Sequence, residues 1–176
     1  IIAPINNTGA NNFTNYWKRE TIQKNHIYKG IVELKPDKND IIIYSDLDEI
    51  PDMIGVTNDI IPKIKDKTIK IIPHWFNFNI DNYLGPQKAA AIPITKFYIL
   101  QELMEGKNDI SIRYDMPSED WPENMGWHFS YFITPENILK KLRSYSHAPD
   151  SKDRHVISKG LQYVKDKIKE GGELFG

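Results

Sequence analysis

The sequence predicts an α/β protein built on an open, mostly parallel twisted sheet flanked by helices, and three observations carry that prediction. Short β-branched runs alternate along the chain with longer segments of helical periodicity. The run Ile41-Ile42-Ile43-Tyr44 is apolar without a break, as suits a central parallel strand covered on both faces. A carboxylate cluster, Asp46-Leu47-Asp48-Glu49, follows at the strand's C-terminal end, where open α/β sheets bind their ligands.

Ile1-Ile2-Ala3-Pro4-Ile5 opens the chain on an apolar stretch with nothing before it, which is read as a domain lacking its N-terminal strand or strands. From Tyr16 to Tyr28, Trp17, Ile22 and Ile27 can share one stripe of an amphipathic helix. A turn at Lys35-Pro36-Asp37-Lys38-Asn39-Asp40 leads into the isoleucine strand, and Pro51 ends the region that could continue as an inner strand. A short helix is expected from Thr57 to Lys67 despite Pro62, then a strand from Thr68 to Phe78 in which Pro73 implies an edge or a bulge. Asp81 to Pro86 reads as a turn and Ala89 to Ile94 as a short strand. Thr95 reads as the cap of a helix running through Phe97, Leu100 and Leu103 toward Gly106. Strands are expected at Ile110 to Arg113 and Gly126 to Phe132, separated by a Pro- and acid-rich loop from Met116 to Met125. Thr134-Pro135-Glu136 combines a capping hydroxyl, a first-turn proline and a first-turn acid, so a helix should begin there and end near Ser144. A last amphipathic helix from Asp153 to Lys169 stops at Gly171-Gly172.

All 176 residues are expected to form one domain, with a radius of gyration of roughly 16 Å. Hydrophobic residues make up 40% and charged residues 27%, the balance of a globular chain and not of a disordered one. With 23 Lys and Arg against 24 Asp and Glu the net charge is -1, which gives no global attraction to nucleic acid or an anionic membrane. No apolar run approaches the roughly 20 residues that span a bilayer, and no signal-peptide pattern is present. Because there is no cysteine, a metal would need oxygen or imidazole ligands. Neither a phosphate-cradling G-x-x-x-x-G-K nor a G-x-G-x-x-G occurs, so a nucleotide would have to be held another way.

Two segments could carry chemistry. Asp46-x-Asp48 reads either as an acidic turn or as two oxygen ligands that aim at one divalent cation and, through it, at a diphosphate. In Gly126-Trp127-His128 the glycine permits close backbone approach, the tryptophan offers an apolar wall, and the histidine is either a satisfied strand residue or a nitrogen ligand. His74 is a lesser candidate ligand, and Trp75 and Trp127 are candidate platforms for a sugar face, with Trp127 preferred. His147 could contact a substrate or serve only the end of its helix.

Together these segments resemble glycosyltransferase family 17, the family of β-1,4-mannosyl-glycoprotein 4-β-N-acetylglucosaminyltransferase. Asp46-Leu47-Asp48-Glu49-Ile50-Pro51 resembles the family's D-x-D-E-I-P signature, and Gly126-Trp127-His128-Phe129-Ser130 its G-W-H-x-S signature, followed in register by Thr134-Pro135-Glu136, Ile138, Lys141-Leu142 and Ser144. Trp17 to Glu20 and Ile168 to Gly172 are similar to flanking parts of the family domain.

The resemblance implies a GT-A type fold, UDP-N-acetylglucosamine as donor, a glycan acceptor, Mn²⁺ or another divalent cation such as Mg²⁺, and inversion at the anomeric carbon. It carries Asp46 and Asp48 over as metal-diphosphate ligands, with His128 as the third metal ligand. An inverting displacement also needs a base near the acceptor hydroxyl. Asp120, in the Glu119-Asp120-Trp121 segment, is the preferred candidate, with Glu49 a second site residue whose role is open. Lys88, in Gly85-Pro86-Gln87-Lys88, and Arg113 are cations that could meet the diphosphate or the acceptor, and each reads equally as a solvated surface charge.

Animal relatives carry cysteine in the G-W-H segment and work in the Golgi lumen, whereas Phe129 and Phe132 stand in that region here. This points to a microbial or viral protein and a cytoplasmic location. Two other readings stay open: a carbohydrate-binding or inactive relative of the same fold, and a metal-dependent nucleotide-sugar hydrolase in which Asp46, Asp48 and His128 activate water.

Overall fold

A computed structural model describes residues 12–105, 113, 115–144 and 151–175, and they fall into two compact units. One lies within Lys24–Phe132 and holds every described strand; the other draws its described residues from the stretches before Lys24 and after Phe132. In chain order the elements are α1 (Asn12–Glu33), β1 (Ile41–Ile43), β2 (Glu49–Pro51), α2 (Met53–Gly55), β3 (Thr68–Asn77), β4 (Tyr83–Pro86), β5 (Ile92–Lys96), α3 (Phe97–Met104), β6 (Ser118–Asp120), β7 (Glu123–Ser130), α4 (Pro135–Ser144) and α5 (Ser151–Glu170).

The fold is α/β with an open, curled sheet, but the sheet is mixed and not mostly parallel. Its order is β1-β5-β3-β7-β2, with β4 and β6 also on β3. Among the described strands only β3 with β6 and β3 with β7 run parallel; the other four pairings are antiparallel. The isoleucine strand is likewise not central among the described strands: β1 sits at one end of their order and pairs, among them, only with β5. Its uninterrupted apolar character has another source. Ile41 and Ile43 pack against the cluster of Val56, Ile60, Ile64, Ile69, Ile71, Ile92 and Ile94, while Ile42 packs against Tyr44, Leu100, Met104 and Met116. An apolar run reports that both faces are covered, and says nothing about how many neighbours are hydrogen-bonded.

β3 is the longest strand and pairs on both edges, with β5 and β6 beside its first half and β4 and β7 beside its second. Pro73 is accommodated by a register shift against β7 between Ile72 and His74, so the bulge expected there is present within a central strand. Pro62 lies in a 3₁₀ turn, Ile61–Lys63, which follows a π-helical turn, Val56–Ile60; the continuous helix expected there is absent because proline withdraws a backbone donor. Thr95 does not cap α3. It belongs to β5, where its hydroxyl receives a hydrogen bond from Thr68 at 3.0 Å, and Lys96 takes the cap position without a side-chain bond. In α1 the described core contacts come from Tyr28 and Ile31, while Ile22 and Ile27 are exposed. A five-residue spacing turns by about 140° on a 3.6-residue helix, so Ile22 and Ile27 cannot share one buried stripe.

In the second unit α4 packs with α5 and buries Ile138, Leu139 and Leu142. Its cap is as expected, with Thr134 Oγ1 accepting from the Asn137 N–H at 3.4 Å. α5 is broken at Gly160, whose φ of 76° interrupts the helix. No described helix is long and apolar enough to cross a membrane.

Candidate functional site

The two signature segments become neighbours through strand pairing. β2 and β7 run antiparallel with Glu49 opposite His128, Ile50 opposite Trp127 and Pro51 opposite Gly126. The Asp48 carbonyl extends the contact by accepting from the Phe129 N–H at 2.8 Å. Gly126 makes the approach possible. Its φ is 144°, and a Cβ built on it would stand 2.5 Å from the Ile50 carbonyl oxygen and 2.9 Å from Pro51 Cα. Only glycine fits there.

The carboxylates of the acidic cluster divide into two environments. Arg113, 5% exposed, donates from Nη1 to Asp46 Oδ2 at 2.9 Å and from Nη2 to Glu49 Oε2. Glu49 Oε2 also accepts from the Asp46 N–H at 2.9 Å, and the Glu49 N–H returns a bond to the Asp46 carbonyl at 3.0 Å. Glu49 is 4% exposed, and burial pushes its carboxyl above the usual range while the Arg113 guanidinium pulls against that rise. A carboxylate so enclosed cannot meet an acceptor hydroxyl; it holds Arg113 and the turn at Asp46. Arg113 is therefore not a surface cation, and its guanidinium is committed to two carboxylates.

Asp48 faces the histidine instead. Its Oδ2 lies 3.8 Å from His128 Nε2, and Ser130 Oγ lies 3.2 Å from the same nitrogen. The other ring nitrogen, Nδ1, is hydrogen-bonded to Gln87 Oε1. Gln87 follows β4 directly, and its own N–H donates to the Pro73 carbonyl at 3.1 Å.

These contacts bear on the cation that the sequence leads one to expect. Two ligands each ~2.1 Å from one ion stand about 3 Å apart when adjacent and about 4.2 Å apart when opposite, and the 3.8 Å between Asp48 Oδ2 and His128 Nε2 falls between the two, within reach of one ion. Asp46 is drawn away by Arg113. Among the described residues no group of three His, Asp or Glu side chains converges as a metal site. The donor set thus fits a hard or borderline cation with two protein ligands and positions left for water or phosphate oxygens.

The other expected residues are distributed as follows. Trp127 is 40% exposed and alternates to the sheet face opposite His128, where the pair Phe76 and Phe129 (ring centroids 5.8 Å) and the pair Phe76 and Tyr83 (5.2 Å) lie. His74 is on that same face, bonded through Nδ1 to the Tyr83 hydroxyl at 3.0 Å, and is not near Asp48. Trp75, in contrast, shares its register position, and so its sheet face, with His128. Lys88 is exposed in the 3₁₀ turn after Gln87. Asp120 is in β6 opposite Ile69, not in a loop, and its side chain lies outside the described residues, as does that of Glu119. His147, the strand expected at Ile110 to Ile112 and the apolar start of the chain lie outside them too.

Gln87 and Ser130 were missed as contacts of His128. The signal for Ser130 was its place in G-W-H-x-S; Gln87 had none, because its bond to His128 joins residues 41 apart. Beyond the two candidate segments, a pocket of about 380 Å³ is lined by Ile60, Lys63, Ile69, Trp121 and Pro122, with Lys70 Nζ 5.1 Å from the Trp121 ring centre. Scans of the sequence against protein-family models, curated proteins and solved structures give no match.

Proposed function

We propose that the chain is a metal-dependent inverting glycosyltransferase of GT-A type that transfers N-acetylglucosamine from UDP-N-acetylglucosamine to a glycan hydroxyl. The single observation that supports this reading best is the β2–β7 pairing, which sets the D-x-D-E-I-P and G-W-H-x-S segments side by side with Asp48 Oδ2 3.8 Å from His128 Nε2. In this reading Asp48 and His128 hold Mn²⁺ or Mg²⁺. The bound cation would neutralise charge on the departing diphosphate. Arg113 and Glu49 hold the Asp46 turn rigid so that Asp48 meets the cation without reorganisation. Trp75, on the same sheet face as His128, borders the donor. Asp120 remains the proposed base.

A second reading, a carbohydrate-binding relative without turnover, is favoured by one observation: Arg113 already engages Asp46 Oδ2 and so competes with a cation for that carboxylate of the D-x-D. Calorimetric titration of UDP separates the two, run with Mn²⁺ and with EDTA, on the wild type and on Asp48→Asn. Metal-dependent binding lost in the variant supports the transferase and justifies a screen of UDP-sugars and glycans. Binding absent in both conditions removes the transferase reading.

A further inference from the structure

We propose that Gln87 is a positioning residue that fixes the tautomer of His128 and aims its Nε2 lone pair at Asp48. The inference rests on reading Asp48 and His128 as the cation site, and it adds a residue that no signature contains.

The argument starts from what an amide oxygen can do. Gln87 Oε1 has no hydrogen to give, so its bond to His128 Nδ1 requires that Nδ1 carry the proton. In the neutral ring Nε2 then holds the lone pair, and the Ser130 hydroxyl, 3.2 Å away, is the donor in that contact. Asp48 Oδ2 lies 3.8 Å from the same nitrogen, so a cation bound between them would take the Nε2 lone pair in place of the Ser130 hydroxyl. Histidines that ligate metals characteristically donate their second nitrogen to a fixed acceptor, which sets ring orientation and raises the basicity of the ligating nitrogen.

Gln87 is built into the frame and is not a passing surface contact. Its N–H is bonded to Pro73 at 3.1 Å, its carbonyl accepts from Ala90 at 3.1 Å, and His128 is held between β2 and β3. The imidazole is 14% exposed, so water has little access with which to replace the amide. One side chain from the β4 turn thus decides which nitrogen of a β7 histidine carries the lone pair.

The test uses the whole chain labelled with ¹⁵N-histidine at pH 8.5, above the ordinary imidazole range. In metal-free wild type, the His128 ring shifts should report a proton on Nδ1, and Gln87→Ala should move the population toward the Nε2–H form. Gln87→Glu, which keeps an acceptor at that position, should retain the Nδ1–H tautomer. Titration with Mn²⁺ should then show affinity weakened about 10- to 100-fold in Gln87→Ala and restored in Gln87→Glu. An Nε2–H tautomer in wild type, or one unchanged by Gln87→Ala, overturns the proposal. If the tautomer behaves as expected but no variant binds Mn²⁺, the positioning role stands and the cation-site reading fails.

Discussion

Arg113 and Glu49, 64 residues apart in sequence, form an ion pair in which their side chains are 6% and 1% exposed. Removing one partner of such a pair leaves the other charge buried without compensation, whereas replacing both with apolar groups costs far less. Arg113→Met should therefore lower the stability of the chain by about 3 to 5 kcal/mol. Arg113→Met/Glu49→Leu should recover much of that loss. Urea unfolding of the two variants checks this, and equal losses in both would deny the pair its structural role.

The two aspartates of the acidic cluster should separate in their effects. Asp46 anchors Arg113 through a 2.9 Å bond, so Asp46→Asn should shift the urea midpoint downward. Asp48→Asn should leave that midpoint nearly unchanged while abolishing Mn²⁺-dependent binding of UDP. Parallel unfolding and calorimetry on the two variants read the asymmetry directly.

Gly126→Ala should cost roughly 3 kcal/mol, because the added Cβ meets the Ile50 carbonyl at 2.5 Å and the backbone is held at a φ of 144°. Strand separation between β2 and β7 would also part Asp48 from His128. Circular dichroism melting, together with loss of the Phe129 amide protection that depends on the Asp48 carbonyl, provides the measurement.

Lys70 is 4% exposed, and burial lowers its pKa, with Asp115 opposing the shift and Arg113 adding to it. Between its folded value and the ordinary 10.5, the unfolded chain binds the proton that the native one has released, so stability rises with pH in that window. Below it the burial penalty is present in full. Lys70→Met should accordingly be more stable than wild type at pH 7 by on the order of 1 kcal/mol. The gap should narrow toward pH 10. A variant less stable than wild type at pH 7 would mean that attraction to Asp115 outweighs burial.

Tyr98 donates to Asp66 Oδ1 at 2.7 Å, and this hydrogen bond is the main reason its phenol is pushed up to about 12. The protonated form is the one favoured by folding, so its contribution is intact below the ordinary phenol range and is lost as pH climbs through about 12. Absorbance titration near 295 nm should show one tyrosine moving down toward 10 in Asp66→Asn. An unchanged titration curve would place the cause elsewhere.

The sequence by itself determined the local features whose cause is local. Thr134-Pro135 begins α4, Pro73 bends β3, Gly126 marks a close approach, and alternating strand and helix signals give an α/β protein. It also pointed to Asp46, Asp48, Glu49 and His128 as chemistry-bearing, since each sits in a compact motif.

What only the tertiary structure decided are relations between distant residues. Strand direction is one: β1 reads as central from its isoleucines, but burial on two faces can come from packed side chains as well as from hydrogen-bonded neighbours. Another is the division of the carboxylates, with Asp46 and Glu49 bound to an arginine up to 67 residues away and Asp48 turned toward His128. Gln87 is the clearest case. A side chain's hydrogen-bond partner is fixed by strand register and by which groups burial deprives of water, and neither is encoded in the residues immediately around it.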